Sequence, residues 1–222
     1  MNRNLCTYFM RAAFAAILFV LFTVLVACWD VRPAGPAQSE VGMAELNEWI
    51  LEAVGVLPVW NTVTEWLGAV AILTALAFAL EGLWQLIRRK SLLRVDRNLW
   101  ALAGFYLLLA ACWLLFEKLA INCRPVLLGA EPEPSYPSSH VLLVVGVMGS
   151  ASAQLCAAYP EKRKLCAWAR GTAFLLSAAA AIGRLLAGVH WFTDVVGALL
   201  LCFSLLMLHR AVLSFPGKCS KL

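Results

Sequence analysis

Three polar side chains interrupt the apolar stretch Gly183-Arg184-Leu185-Leu186-Ala187-Gly188-Val189-His190-Trp191-Phe192-Thr193-Asp194. Arg184, His190 and Asp194 stand where two long hydrophobic segments meet. Ionisable groups in or beside membrane segments are costly, so such a cluster is read first as a functional site. His190 and Asp194 are four residues apart at the start of a helix, where they share a face and can hydrogen-bond. A carboxylate on Nδ1–H fixes the imidazole tautomer and leaves Nε2 free to attack or to take a proton. The same carboxylate stabilises an imidazolium or phosphohistidine as it forms. Gly188 lets the chain turn and bring Arg184 back alongside. Taken alone, His-x-x-x-Asp also has a plainer reading, an Asp favoured by a helix N-terminus with a His in the interfacial belt beside Trp191.

A second polar knot runs from Lys118 to His140 between two other apolar segments. Arg124-Pro125 offers a planar guanidinium fork suited to bidentate phosphate binding. Tyr136-Pro137-Ser138-Ser139-His140 leads into the next apolar segment. Pro and Ser are good helix starters, so one reading is simple capping. A helix N-terminus with free N–H groups is also an anion site, the Ser138 hydroxyl adds a donor, and His140 is placed to act as an acid. Two Arg, a Ser, a helix start and two His, one of them beside an Asp, suit phosphoryl transfer through a covalent histidine intermediate. The sequence holds no metal-binding constellation.

Elements must bring these residues together. Of the 222 residues 62% are hydrophobic and 14% charged, and the mean hydropathy is +0.80. Six apolar runs approach the length of about 20 residues that spanning a bilayer requires. They lie at about 11–29, 63–87, 99–116, 140–158, 165–186 and 191–213. The chain therefore reads as an all-α, polytopic membrane protein, a single domain over 1–222 with its motifs in a core of about 99–213. The first run, with Leu25-Val26-Ala27-Cys28 at its end, resembles a lipoprotein signal, but its length favours a retained helix. Between the first two spans, residues 39–57 place Leu46, Trp49, Ile50, Ala53, Val54 and Leu57 at helical spacing. Glu45, Glu48 and Glu52 fall opposite, which makes a short amphipathic helix, lying on the membrane surface or packed as an ordinary loop helix. Glu81, inside the second span, is read as a partner of Gln85 or of the basic loop beyond. The eight cysteines form no C-x-x-C pair and read mostly as small apolar residues; one disulfide between Cys28 and Cys123 is conceivable.

Basic residues mark one side. Both termini (Arg3 and Arg11; Lys218 and Lys221) and the loops at 88–97 and 161–164 are basic, whereas the 30–61 segment is acidic. The positive-inside rule puts both termini in the cytoplasm, and both polar knots on the outer face. The net charge of +5, sorted in this way, speaks for membrane orientation and against nucleic-acid binding.

Three motifs in this order resemble the type-2 phosphatidic acid phosphatase superfamily, which also includes bacterial undecaprenyl diphosphatases. The family patterns are K-x6-R-P, P-S-G-H and S-R-x5-H-x3-D. Here the third keeps its spacing with Gly183 in place of Ser, and the second reads Pro137-Ser138-Ser139-His140, with Ser139 for Gly. Arg124-Pro125 closes the first, but Lys118 stands one residue too near and Glu117 occupies the strict Lys position. The resemblance implies that His190 is the nucleophile, Asp194 orients it, and His140 protonates the leaving group. It likewise implies that Arg124, Arg184, Ser138, Ser139 and Lys118 hold the phosphoryl oxygens. The implied activity is metal- and cofactor-free hydrolysis of a lipid phosphate or diphosphate, with undecaprenyl diphosphate favoured. Phosphatidate, phosphatidylglycerophosphate and transfer to another hydroxyl are alternatives. A non-catalytic anion-binding membrane protein is the alternative of another class.

Overall fold

The computed structural model describes residues 3–126 and 132–215; Lys218 and Lys221 and the side chain of Arg3 lie outside what is described. Seven α-helices follow one another: α1 (Arg3–Cys28), α2 (Ala44–Val54), α3 (Val59–Arg89), α4 (Arg97–Leu119), α5 (Ser139–Ala158), α6 (Arg163–Leu186) and α7 (Phe192–Leu213). All except α2 are long and apolar enough to cross a membrane. The expected six spans and the short helix after the first are all present.

Half of α5 and α7 is buried within the protein (50% and 56% of their apolar windows), against 17–22% of the other four spans. Those two helices form the centre. The buried face of α5 is rich in small residues, Gly146, Ser150, Ala151 and Ser152, which let neighbouring backbones approach in the absence of a hydrophobic drive between helices. Helix α1 packs along α7, and α3 and α6 flank α5. The outward faces are large and apolar, as with Phe14, Leu73 and Leu107, which suits a lipid surround.

Two helix ends have local causes. Helix α3 closes on Arg88 and Arg89, cations that the negative end of the helix dipole favours. Helix α6 closes at Leu186, and Gly188 reverses the chain with φ +67°. A Cβ there would lie 2.7 Å from Val56, so glycine is demanded by both backbone and space.

The amphipathic segment is shorter than its periodicity suggests. Residues 39–41 form a strand, β2 (Ser39–Val41), paired antiparallel with β1 (Arg32–Ala34), and the helix begins only at Ala44. Its apolar stripe is not its buried face: Trp49 is 66% exposed, whereas Ala44 and Asn47 are buried. Polar pairing outweighs the apolar pattern here. Asn47 donates Nδ2–H to Thr193 Oγ1 (2.9 Å) and accepts the Thr193 N–H (3.2 Å), and Glu48 accepts the Gly35 N–H and pairs with Arg32 (3.0 Å). Cys28 and Cys123 are both free thiols.

Candidate active site

The two polar knots meet at one end of the bundle, where α5 and α7 begin and α6 ends. The Ser138 N–H donates to the Asp194 carbonyl (3.1 Å) and ties the start of α5 to that of α7. Arg124 Nη1 lies 3.4 Å from His190 Nε2, with the Val189 carbonyl as a second neighbour at 3.4 Å. This end is opposite the basic segments 88–97 and 161–164, which follow the far ends of α3 and α5.

Asp194 is wholly buried and clamped from two sides. Oδ2 accepts the Trp191 N–H (3.0 Å), capping α7, and Oδ1 accepts Asn122 Nδ2–H (2.9 Å). His190 Nδ1 stands 3.4 Å from Oδ2 without an aligned hydrogen bond to it. The hydrogen bond expected from the four-residue spacing is therefore out of line, because the carboxylate is aimed at the backbone amide instead. Capping and imidazole contact use the same oxygen. Trp191 does not belong to an interfacial belt: it is buried against Ala34, Val41 and Ala44 and donates Nε1–H to the Cys123 carbonyl (2.7 Å).

Burial, followed by the nearby cations Arg184 and Arg124, pushes His190 well below the ordinary imidazole range. The ring is neutral at physiological pH, and the Nδ1–H tautomer presents an Nε2 lone pair to the site.

Arg124 is positioned by the hairpin that the periodicity hid. The Ser39 hydroxyl donates to the Arg124 carbonyl (2.9 Å), the Cys123 N–H donates to Glu40 (3.2 Å), and Arg124 Nε lies 2.9 Å from Glu133 Oε2. Arg184 is 1% exposed and is held by α3: Nη1 donates to Asn61 Oδ1 (2.9 Å) and Thr64 Oγ1 (3.2 Å) and lies 3.6 Å from Glu65 Oε1. Glu65 Oε1 is also 3.2 Å from His140 Nε2.

Ser138 occupies the N-cap position of α5 yet makes no capping bond. Its hydroxyl is buried without a partner among the described residues, as is Arg184 Nε. Buried polar atoms are nearly always paired, and leaving one unpaired costs about 1–3 kcal/mol. Ser138 stands at a helix N-terminus, whose first amides point out of the helix end. Capping does not account for Ser138. Ser139 is the half-buried first residue of α5. Lys118, exposed in the last turn of α4, has no hydrogen-bond or ion-pair partner among the described residues, and the structure does not bring it into the cluster.

Residues 115–215 match the family model described as the PAP2 superfamily. Over this stretch, just under half of the chain, the sequence is similar to the PAP2 superfamily. Among solved structures it is similar to "the first transmembrane PAP2 type phosphatidylglycerolphosphate phosphatase from Bacillus subtilis". The TM-score is 0.63 at 19% sequence identity, covering 90% of this chain and 94% of that one. None of the curated proteins matches. The likeness in fold thus covers 90% of the chain and reaches well beyond the matched stretch.

One departure from the PAP2 patterns, Gly183, has a local cause. A Cβ on Gly183 would stand 2.7 Å from Thr64 Cγ2 and 3.0 Å from Trp60 Cε3. Helix α3 fills the space a serine would use, and the Thr64 hydroxyl reaches Arg184 from that side. Asn61, Thr64, Glu65 and Asn122 are the site neighbours that motif reading passed over. The sequence did carry a signal for three of them: Asn61, Thr64 and Glu65 lie at i, i+3 and i+4, one polar face at the start of an apolar span. Glu81, the acidic residue singled out instead, accepts from Gln85 Nε2 (3.4 Å), one of its two expected partners.

Proposed function

We propose that the protein is a membrane lipid phosphatase that works through a phosphohistidine on His190. One observation carries this reading: a neutral, buried imidazole Nε2 3.4 Å from Arg124, next to the unpartnered Ser138 hydroxyl and Arg184 Nε. A buried imidazole, two guanidinium groups and a hydroxyl share one end of the bundle, and two of the donor atoms, Ser138 Oγ and Arg184 Nε, have no partner among the described residues. An anion-binding protein has no use for a nucleophile-shaped imidazole kept neutral.

The chemistry follows from these positions. Arg124, Arg184, Ser138 and the first amides of α5 take the non-bridging phosphoryl oxygens, so charge moving onto them in the transition state meets donors already in place. Ser139 stands beside them, and Lys118 contributes only after the end of α4 rearranges. His190 Nε2 attacks phosphorus while Asp194, whose charge lies 3.4 Å from Nδ1, stabilises the imidazolium. His140 gives its proton to the departing oxygen. Water then attacks the phosphohistidine, His140 takes a proton from it, and phosphate leaves with His190 restored. No step calls for a metal ion.

The positive-inside rule and the basic segments at the opposite end support a site on the outer face with cytoplasmic termini. An outward site suits undecaprenyl diphosphate, which is released on that side of the membrane, and we take it as the first substrate. Phosphatidylglycerophosphate is the second reading, favoured by the likeness to the Bacillus subtilis enzyme. Detergent-purified protein is expected to release phosphate in EDTA and to be inhibited by vanadate. A side-by-side assay on undecaprenyl diphosphate, phosphatidylglycerophosphate and phosphatidate ranks the substrates. Full activity in H190A would overturn the mechanism, and turnover of none of the three lipids would return the site to anion binding.

A further inference from the structure

Glu65 is a carboxylate on α3, outside the stretch that carries the PAP2 motifs. Its Oε1 stands 3.2 Å from His140 Nε2 and 3.6 Å from Arg184 Nη1. The His140 ring edge bearing Nε2 faces α3 along this direction, with Cδ2 and Nε2 about the place where a Cβ on Gly68 would meet them at 3.6 and 3.9 Å. The other carboxylates of the site are engaged elsewhere, Asp194 by Trp191 and Asn122, and Glu133 by Arg124.

His140 has a difficult task on the proposed reading. A general acid must hold a proton before the substrate arrives, yet this one stands in a site built around two guanidinium groups. Like charges nearby disfavour an imidazolium, and an opposite charge within about 4–6 Å favours it. Glu65 is the described carboxylate in contact with His140. Its side chain is 55% exposed, so it can withdraw from between His140 and Arg184 when a phosphoryl group enters.

We propose that Glu65 is a positioning residue for the leaving-group step, holding the His140 ring by Nε2 and keeping its proton in place until the substrate takes over that contact. The inference rests on the phosphatase reading above. In the step, the proton on His140 Nε2 passes to the bridging oxygen as the phosphorus–oxygen bond breaks and the His190 Nε2–phosphorus bond forms. In the second half, water adds to phosphorus, its proton goes to His140 Nε2, and the histidine–phosphorus bond breaks. Glu65 then closes again on the protonated ring.

The test compares a poor leaving group with a good one, because a good leaving group needs no acid. Full-length protein in detergent is assayed on phosphatidate and on p-nitrophenyl phosphate, as wild type, E65Q, H140A and the double variant. General acid catalysis is worth about 10²–10⁴-fold. E65Q is expected to lose about 10- to 100-fold in kcat on phosphatidate, within that range, but only a few-fold on p-nitrophenyl phosphate, with KM nearly unchanged. In the double variant the E65Q loss disappears, because the residue it serves is already gone. Equal losses on both substrates, a rise in KM alone, or losses that multiply in the double variant would overturn the proposal and leave Glu65 as a brace for Arg184. Those outcomes are read against a wild type that turns over and an H190A that does not, so failure of the parent reading is seen separately.

Discussion

Consider Gly183→Ser, which restores the residue of the family pattern. The new Cβ would lie 2.7 Å from Thr64 Cγ2, where ordinary contact begins at 3.4 Å. To relieve the overlap, α3 must retreat by about 0.7 Å (3.4 − 2.7), since Thr64 is β-branched and its hydroxyl is fixed by the Trp60 and Asn61 carbonyls. The same retreat stretches the Thr64–Arg184 hydrogen bond from 3.2 Å to roughly 3.9 Å, beyond bonding range. Either the overlap persists, at about 1–3 kcal/mol, or the bond to the buried guanidinium is lost, at about 1.5–3 kcal/mol. The two costs are alternatives and do not add. If the second governs, a displaced Arg184 lowers turnover by about 10- to 150-fold. Thermal melting in detergent and steady-state phosphate release measure both. Thr64→Ser removes Cγ2 and keeps the hydroxyl, so G183S/T64S is expected to recover most of the loss. A G183S protein as stable and as active as wild type would refute the packing account of this substitution.

S138A removes a buried hydroxyl that has no partner, so melting is expected to hold or rise slightly, while kcat/KM falls about 10- to 100-fold for the lost phosphate donor; a fall in melting temperature would mean that the hydroxyl is structural. N122L leaves Asp194 Oδ1 without its donor and is expected to cost about 1–3 kcal/mol, together with kcat; unchanged kcat would show that the clamp is unnecessary. The His190 prediction concerns pH. Its folded value is depressed below 6.5, so below that pH the unfolded chain binds a proton that the folded protein refuses, and stability falls as pH falls. Against H190N, wild type should lose up to about 1.4 kcal/mol per pH unit between 6.5 and the folded value. A difference in melting that stays flat from pH 7 to 5 would contradict the buried neutral ring.

Hydropathy makes the spans legible because lipid allows few alternatives to a helix of this length, and apart from α1, which starts at Arg3, the helix ends lie within about a turn of the apolar runs. His190, Asp194, Arg124, Ser138 and His140 are legible because each motif is local. What stayed hidden depends on contacts between distant segments. Strands of three residues have too short a period to be read, so the clasp on Arg124 came unannounced. Asn47 lies outside the apolar pattern of its short helix, and nothing local says that Thr193 waits for it. Glu65 lay in an apolar run where Glu81 drew attention, although only Glu65 is on the same end of α3 as Arg184. The out-of-line His190–Asp194 contact could not be read either, since the four-residue spacing serves capping and imidazole contact alike.

Arg184 has a consequence for how the protein is made. A guanidinium this deeply buried in a bundle is expensive to insert alone, and its partners Asn61, Thr64 and Glu65 are all on α3. Chains emerge N-terminus first, so the receptor for that charge is in the bilayer before the charge arrives. Helix α7, with Asp194, follows and completes the polar cluster. Synthesis order thus delivers the buried charge of Arg184 to a receptor that α3 has already put in place.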